Sequence, residues 1–210
     1  MNERRHQVIQ IFIFSAFFVL TAYYIVLPFF SPSALHLDIK LPLWVFYTIQ
    51  TNLFVCIWYG FILVNLFFKK ERRLNQVVAL SVTVYILVTG LIYWTVLVPM
   101  LGAAPALFLF RNIWTHAITP VFTVFCFINY TRRDKITRKQ IPYMLAYPLF
   151  YLIFSYGFVY PVYGKYPYPF LNPDIMGGLV PVLLSCIAIV GIFLAMAFIL
   201  NHLHNKKLKA

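Results

Sequence analysis

The sequence predicts an all-α integral membrane protein: a single domain over residues 1–210, folded as a six-transmembrane-helix bundle with both termini cytoplasmic. Three observations carry this reading. Hydrophobic residues make up 62% of the chain and charged residues 10%, whereas a soluble domain wets its surface with about a quarter charged residues. Six apolar runs contain no Asp, Glu, Lys or Arg, and each approaches or exceeds the ~20 residues that span a hydrocarbon core. The basic residues between these runs fall almost entirely on one side. The same composition excludes a soluble enzyme and a disordered chain, and the 3 cysteines are too few and too odd for a disulfide framework.

The first run, Val8–Phe30, follows Arg4 and Arg5 as a signal peptide would. It is longer than the ~7–15 residues of a signal core and no small-x-small site follows it, so it reads as a retained span. The next five are Leu43–Phe68, Val77–Met100, Asn112–Tyr130, Ile141–Val162 and Met176–Leu200. They are continuous rather than alternating, which disfavours a membrane β-barrel. Pro28, Pro99, Pro120, Pro142, Pro148 and Pro161 mark span ends or kinks, where neighbouring helices re-satisfy the freed carbonyls. Trp44, Trp94 and Trp114 fall near outer boundaries, as an interfacial aromatic belt requires. No internal repeat argues for a two-halved transporter.

Orientation follows from the charges. With the N-terminus inside, the cytoplasmic side holds Arg4, Arg5, the Lys69–Arg73 cluster, the Arg132–Lys139 cluster, Lys206, Lys207 and Lys209. The outside holds only Lys40, Arg111 and Lys165, a skew that sets topology through the positive-inside rule. The formal charge of +12 is thus a topology signal. The clusters can touch anionic headgroups, but no nucleic-acid face is expected. The expected location is the plasma membrane, as a multi-pass protein.

Intramembrane ionisable groups usually mark function, and here they are nearly absent. No carboxylate is available for a proton relay and no lysine for a Schiff base. Cys56, Cys126 and Cys186 fall inside spans, where apolar surroundings keep thiols inert. His202 and His204 lie at the end of the last span, with a spacing that does not share a helical face, and read as a solvated terminus. No metal site or cofactor is expected. Asp38 and Asp174 lie in outer loops, where solvation is the ordinary state of a carboxylate.

One histidine, His116, falls within a span. Thr48, counted from Leu43, and His116, counted from Asn112, share a depth roughly 6–8 Å below the outer boundary at 1.5 Å per residue. Thr48 and Asn52 are four apart, as are Asn112 and His116, so each pair shares a helical face. Tyr93 and Tyr156 reach the same depth from the third and fifth spans. These groups can build a polar pocket open to the outer leaflet. Its chemistry would be acyl transfer: a threonine hydroxyl needs a base to take its proton, and a neutral imidazole is that base. Asn52 or a free backbone N–H can donate to the oxyanion, and Asn112 can orient the ring. The competing reading is structural, since polar residues in membrane helices commonly act as glue between them.

Three stretches, VFYTIQTNLFV, RNIWTHAITPVF and KYPYPFLNPDIMGG, resemble the androgen-induced and androgen-dependent TFPI-regulating membrane proteins and their prokaryotic six-span branch. The resemblance follows the order of the spans over nearly the whole chain. It implies a threonine hydrolase of fatty acid esters of hydroxy fatty acids, with Thr48 as nucleophile, His116 as its partner and Thr51 as the fallback nucleophile. Two departures stand out. The acidic residue after the threonine is replaced by the run Ile49, Gln50, Thr51, and the interval from histidine to proline is one residue shorter. The expected function is an intramembrane hydrolase of lipid esters. The alternatives are a lipid-binding or scaffolding protein without turnover, or a carrier of small neutral solutes.

Overall fold

The structure, a computed structural model, describes residues 2–30, 41–70, 72–101 and 106–208. Six helices are long and apolar enough to cross a membrane: α1 (Arg5–Leu27), α2 (Tyr47–Phe67), α3 (Gln76–Met100), α4 (Phe110–Tyr130), α5 (Arg138–Tyr163) and α6 (Leu179–Lys207). Among the described residues there is no strand, only an isolated bridge between Leu74 and Thr131. The protein is a multi-pass helical membrane protein.

The central helix is α3, which packs against α2, α4 and α6, while α1 lies along α2. Its Ala79, Leu80, Val84 and Ile86 are fully buried. Outward-facing residues such as Phe12, Ile153 and Ile187 are about two-thirds or more exposed (76%, 69% and 67%). Such surface would be costly in water and costs nothing against lipid tails of equal polarity. Gln7 Nε2 donates to the Leu66 carbonyl at 2.7 Å, and Lys207 Nζ donates to the Ile128 carbonyl at 3.1 Å. Both ends of the chain therefore meet the same end of the bundle, as an even number of crossings requires.

Three of the sequence prolines share one local solution. Wide π-type turns at Tyr93–Leu97, Trp114–Ile118 and Ser155–Val159 each end two residues before a proline, at Pro99, Pro120 and Pro161. A proline inside a helix lacks an N–H and its ring collides with the carbonyl four residues back. Widening the preceding turn relieves that collision. In α4 the carbonyl left over is that of His116, and Trp94 Nε1 donates to it at 3.2 Å. Gly90 makes this approach possible, because a Cβ there would lie 2.4 Å from the His116 carbonyl oxygen.

The ends of the helices depart from the sequence expectation in places. A short 3-10 turn, Leu43–Val45, precedes α2, which begins at Tyr47. Met176 does not open α6. It closes a separate turn, Pro173–Met176, that Gly177 and Gly178 end with φ of 81° and 129°, a region that L side chains rarely adopt. At its other end α6 runs on to Lys207. His204 is accordingly buried, not solvated: its Nε2 lies 3.0 Å from the Asp134 carbonyl and its ring packs on Phe127. His202, on the other face, is exposed.

Candidate active site

Thr48 stands in the first turn of α2, where helix N–H groups have no partner inside the helix. Phe46, the N-cap residue, provides no side-chain acceptor. Two phenols take that role. The Tyr47 N–H donates to Tyr151 Oη at 3.2 Å and the Thr48 N–H donates to Tyr168 Oη at 3.2 Å. Tyr168 Oη also shares a hydrogen bond with Thr48 Oγ1 at 3.3 Å. Tyr151 Oη donates in turn to the Val45 carbonyl at 2.9 Å, which ties the turn before α2 to α5.

These hydroxyls form the polar end of a cavity of about 110 Å³ between α2, α3, α5 and α6. Thr48, Thr89, Tyr151 and Tyr168 line one part of it, and Val88, Ile92, Leu152, Ile189 and Phe193 line the apolar remainder. The Tyr-Pro loop between α5 and α6 forms part of its wall: Tyr168 and Phe170 both line the cavity and stack at 5.2 Å. Tyr156 Oη holds that loop by donating to the Leu171 carbonyl at 2.7 Å. Burial pushes the Tyr168 phenol above its ordinary pKa, against the lowering by its bonds to Thr48. The phenol is therefore neutral at pH 7 and able to donate.

A second polar group lies between α2, α3 and α4. His116, Asn112 and Asn52 are all buried. Each has a side-chain atom with no hydrogen-bond partner: Nδ1 of His116, Nδ2 of Asn112 and Oδ1 of Asn52. The other end of the Asn52 amide donates to the Thr48 carbonyl at 2.9 Å. Tyr93 lies flat on the imidazole, with centroids 3.8 Å apart and planes within 2°. An unpaired polar atom in a low-dielectric interior costs about 1–3 kcal/mol, so these three atoms leave hydrogen-bonding capacity unused.

The structure thus divides the expected constellation. Thr48 faces the apolar cavity. His116, Asn52, Asn112 and Tyr93 make the neighbouring group, and Tyr156 serves the loop. Thr48 and His116 share no hydrogen bond. Their places along their helices differ: Thr48 is one residue inside α2, whereas the helix that carries His116 already begins at Ala106. The level of the imidazole belongs to Thr51, about 4–5 Å further along α2 at 1.5 Å per residue. Thr51 Oγ1 bonds Thr89 Oγ1 at 3.1 Å, and Gly90, next along α3, abuts the His116 carbonyl.

Thr51 is 1% exposed and lies behind Thr89, away from the cavity. Thr48 is therefore the hydroxyl of this pair that a cavity guest meets. Asp174 is exposed, and its N–H donates to Asn172 Oδ1 at 3.0 Å as part of a turn. Asp38 lies outside the described residues. Sequence reasoning missed Thr89, Tyr151 and Tyr168 as site residues. Tyr168 had a visible signal, its place in an outer loop dense in Tyr and Pro. Thr89 and Tyr151 had none, because nothing in a span sequence says which face meets a cavity.

Fold and site together define a six-span helical membrane protein with an apolar cavity lined by hydroxyls at one end. Comparison with family models, curated proteins and solved structures finds no match to the chain.

Proposed function

We propose that the protein is an intramembrane hydrolase of lipid esters, working in the plasma membrane with its basic loops toward the cytoplasm. One observation carries the reading: the Thr48 hydroxyl stands at the polar end of an apolar cavity, a helix layer away from a histidine whose Nδ1 has no partner. An acyl chain suits the walls formed by Ile92, Leu152, Ile189 and Phe193, with its ester group beside Thr48. The sequence resemblance to threonine hydrolases of fatty acid esters assigns the same two residues.

In the proposed reaction Thr48 Oγ1 attacks the ester carbonyl carbon and loses its proton to His116. The neutral Tyr168 phenol donates to the oxyanion. Collapse breaks the ester C–O bond, His116 returns the proton to the leaving alcohol, and water then hydrolyses the acyl-threonine. In this structure Thr48 Oγ1 is engaged by Tyr168. Bound substrate must therefore displace that phenol, and the imidazole must reach Thr48 through a water in the unpaired layer of Asn52 and Asn112 or by a shift of α4 at its π-type turn.

The bond between Thr48 and Tyr168 also favours a second reading, a lipid-binding protein without turnover. A fluorophosphonate probe of serine and threonine hydrolases separates the two. Covalent labelling of the purified protein that disappears in Thr48→Ala and in His116→Ala, both still folded, supports the hydrolase. Turnover of a lipid ester that survives Thr48→Ala removes Thr48 as nucleophile, and absence of any labelling or turnover leaves the binding protein.

A further inference from the structure

The end of the bundle that carries both termini has a cleft of about 450 Å³, remote from Thr48. Lys70, Arg72 and Arg73 line it together with Ile62, Leu66 and Phe125. We propose that this cleft binds an anionic phospholipid, with the phosphate held by the cations and an acyl chain leaving along α4.

The site is built rather than incidental. Lys69 adopts the left-handed region, φ 50°, which a residue with a Cβ avoids. The turn it makes lets the Lys70 N–H bond the Asn65 carbonyl at 2.8 Å, bringing the chain back over the end of α2. Asn65 Nδ2 donates to the Arg72 carbonyl at 3.0 Å. Arg73 Nη1 donates to the Asn129 carbonyl at 3.1 Å. The basic segment is thereby tied to both α2 and α4. Among the described residues no acid lines the cleft. Glu71 lies outside those residues, and counting it still leaves Lys69, Lys70, Arg72 and Arg73 with an excess of three positive charges.

Two features favour a lipid over a soluble anion. The cleft lies where α2 and α4 end, the depth of headgroups, and basic pockets at that depth suit anionic lipid. Its apolar wall also continues into the membrane. Val121, Phe125 and Ile128 follow the i, i+4, i+7 pattern of one helical face, and all three are exposed (70%, 48% and 36%). A chain bound with its phosphate at Arg72 finds a hydrocarbon track beneath it.

The test uses full-length protein in detergent, with native mass spectrometry and thermal unfolding. The probes are dioleoyl phosphatidylglycerol, dioleoyl phosphatidylcholine and inorganic phosphate. Phosphatidylglycerol is expected to remain bound and raise the unfolding temperature, with at least tenfold tighter binding than phosphatidylcholine. The K70Q/R72Q variant should lose at least tenfold of that affinity, while K135Q/R138Q, which removes equal charge from the same side, should keep it. The single Arg72→Gln variant gives the same reading if the double variant does not fold. Equal binding of the two lipids overturns the proposal. So does equal loss in both double variants, which would make the attraction a general surface charge. Full stabilisation by inorganic phosphate alone overturns the lipid assignment.

Discussion

Two adjacent layers between α2 and α4 hold polar residues of similar kinds and differ in how fully they are paired: the inner leaves one side-chain atom, Thr119 Oγ1, without a partner, and the outer leaves three. In the inner layer, Tyr59 Oη bonds Thr123 Oγ1 at 2.8 Å and the Thr119 carbonyl at 3.3 Å. Thr123 Oγ1 also donates to the Thr119 carbonyl at 2.7 Å. The helices run in the same direction, so a step of seven residues outward leads from Tyr59 to Asn52 and from Thr123 to His116. There Asn52, Asn112 and His116 each keep a buried atom without a partner. Glue between membrane helices closes its hydrogen bonds internally. The outer layer therefore holds more unused hydrogen-bonding capacity than the inner one.

The sharpest way to break this contrast is chemical. Under the hydrolase reading, Thr48→Ala or His116→Ala lowers lipid-ester turnover by at least about 10³-fold, the scale of losing a nucleophile or its base. Substituting Tyr59 leaves turnover intact. Comparable losses in both layers, measured on folded protein, would show that activity tracks packing and not the open layer.

Gly90→Ala tests the support of the open layer. Its new Cβ would meet the His116 carbonyl oxygen at 2.4 Å, and overpacking of that kind costs about 1–3 kcal/mol. A lowered unfolding temperature is expected, together with reduced turnover as α4 is pushed from α3. Wild-type stability would mean that α4 yields freely at its π-type turn.

Tyr59→Phe removes a satisfied hydrogen bond and should cost about 0.5–1.5 kcal/mol in equilibrium unfolding. Asn52→Leu should cost least, within about 1 kcal/mol of wild type, because removing the buried, unpaired amide oxygen offsets the lost Nδ2 bond to the Thr48 carbonyl. It should nevertheless slow turnover roughly tenfold if that oxygen positions water or substrate. A larger stability loss at Asn52 than at Tyr59 would erase the distinction between the layers.

Much of the fold was legible because a bilayer demands long apolar helices with all backbone groups paired internally. The six spans, the prolines at their ends and kinks and the single membrane histidine could all be read from length and residue type. The depth of Thr48 was less legible. A count from Leu43 misses the 3-10 turn before Tyr47, and a count from Asn112 misses that the helix already begins at Ala106, so residue counting alone puts Thr48 and His116 level. His204 departs from the sequence expectation for a related reason: α6 continues for two more turns and carries the ring against Phe127.

The sequence by itself determined that this chain lives in a membrane, how many times it crosses, and which few polar side chains are available within it. Hydropathy and charge are properties of residues, and a bilayer reads them one segment at a time. Only the tertiary structure decided which hydroxyl meets the cavity, which phenols cap α2 and which polar atoms stay unpaired. Those outcomes depend on how helices rotate against one another, and an all-apolar helix surface specifies that rotation through close packing rather than through any pattern along the chain.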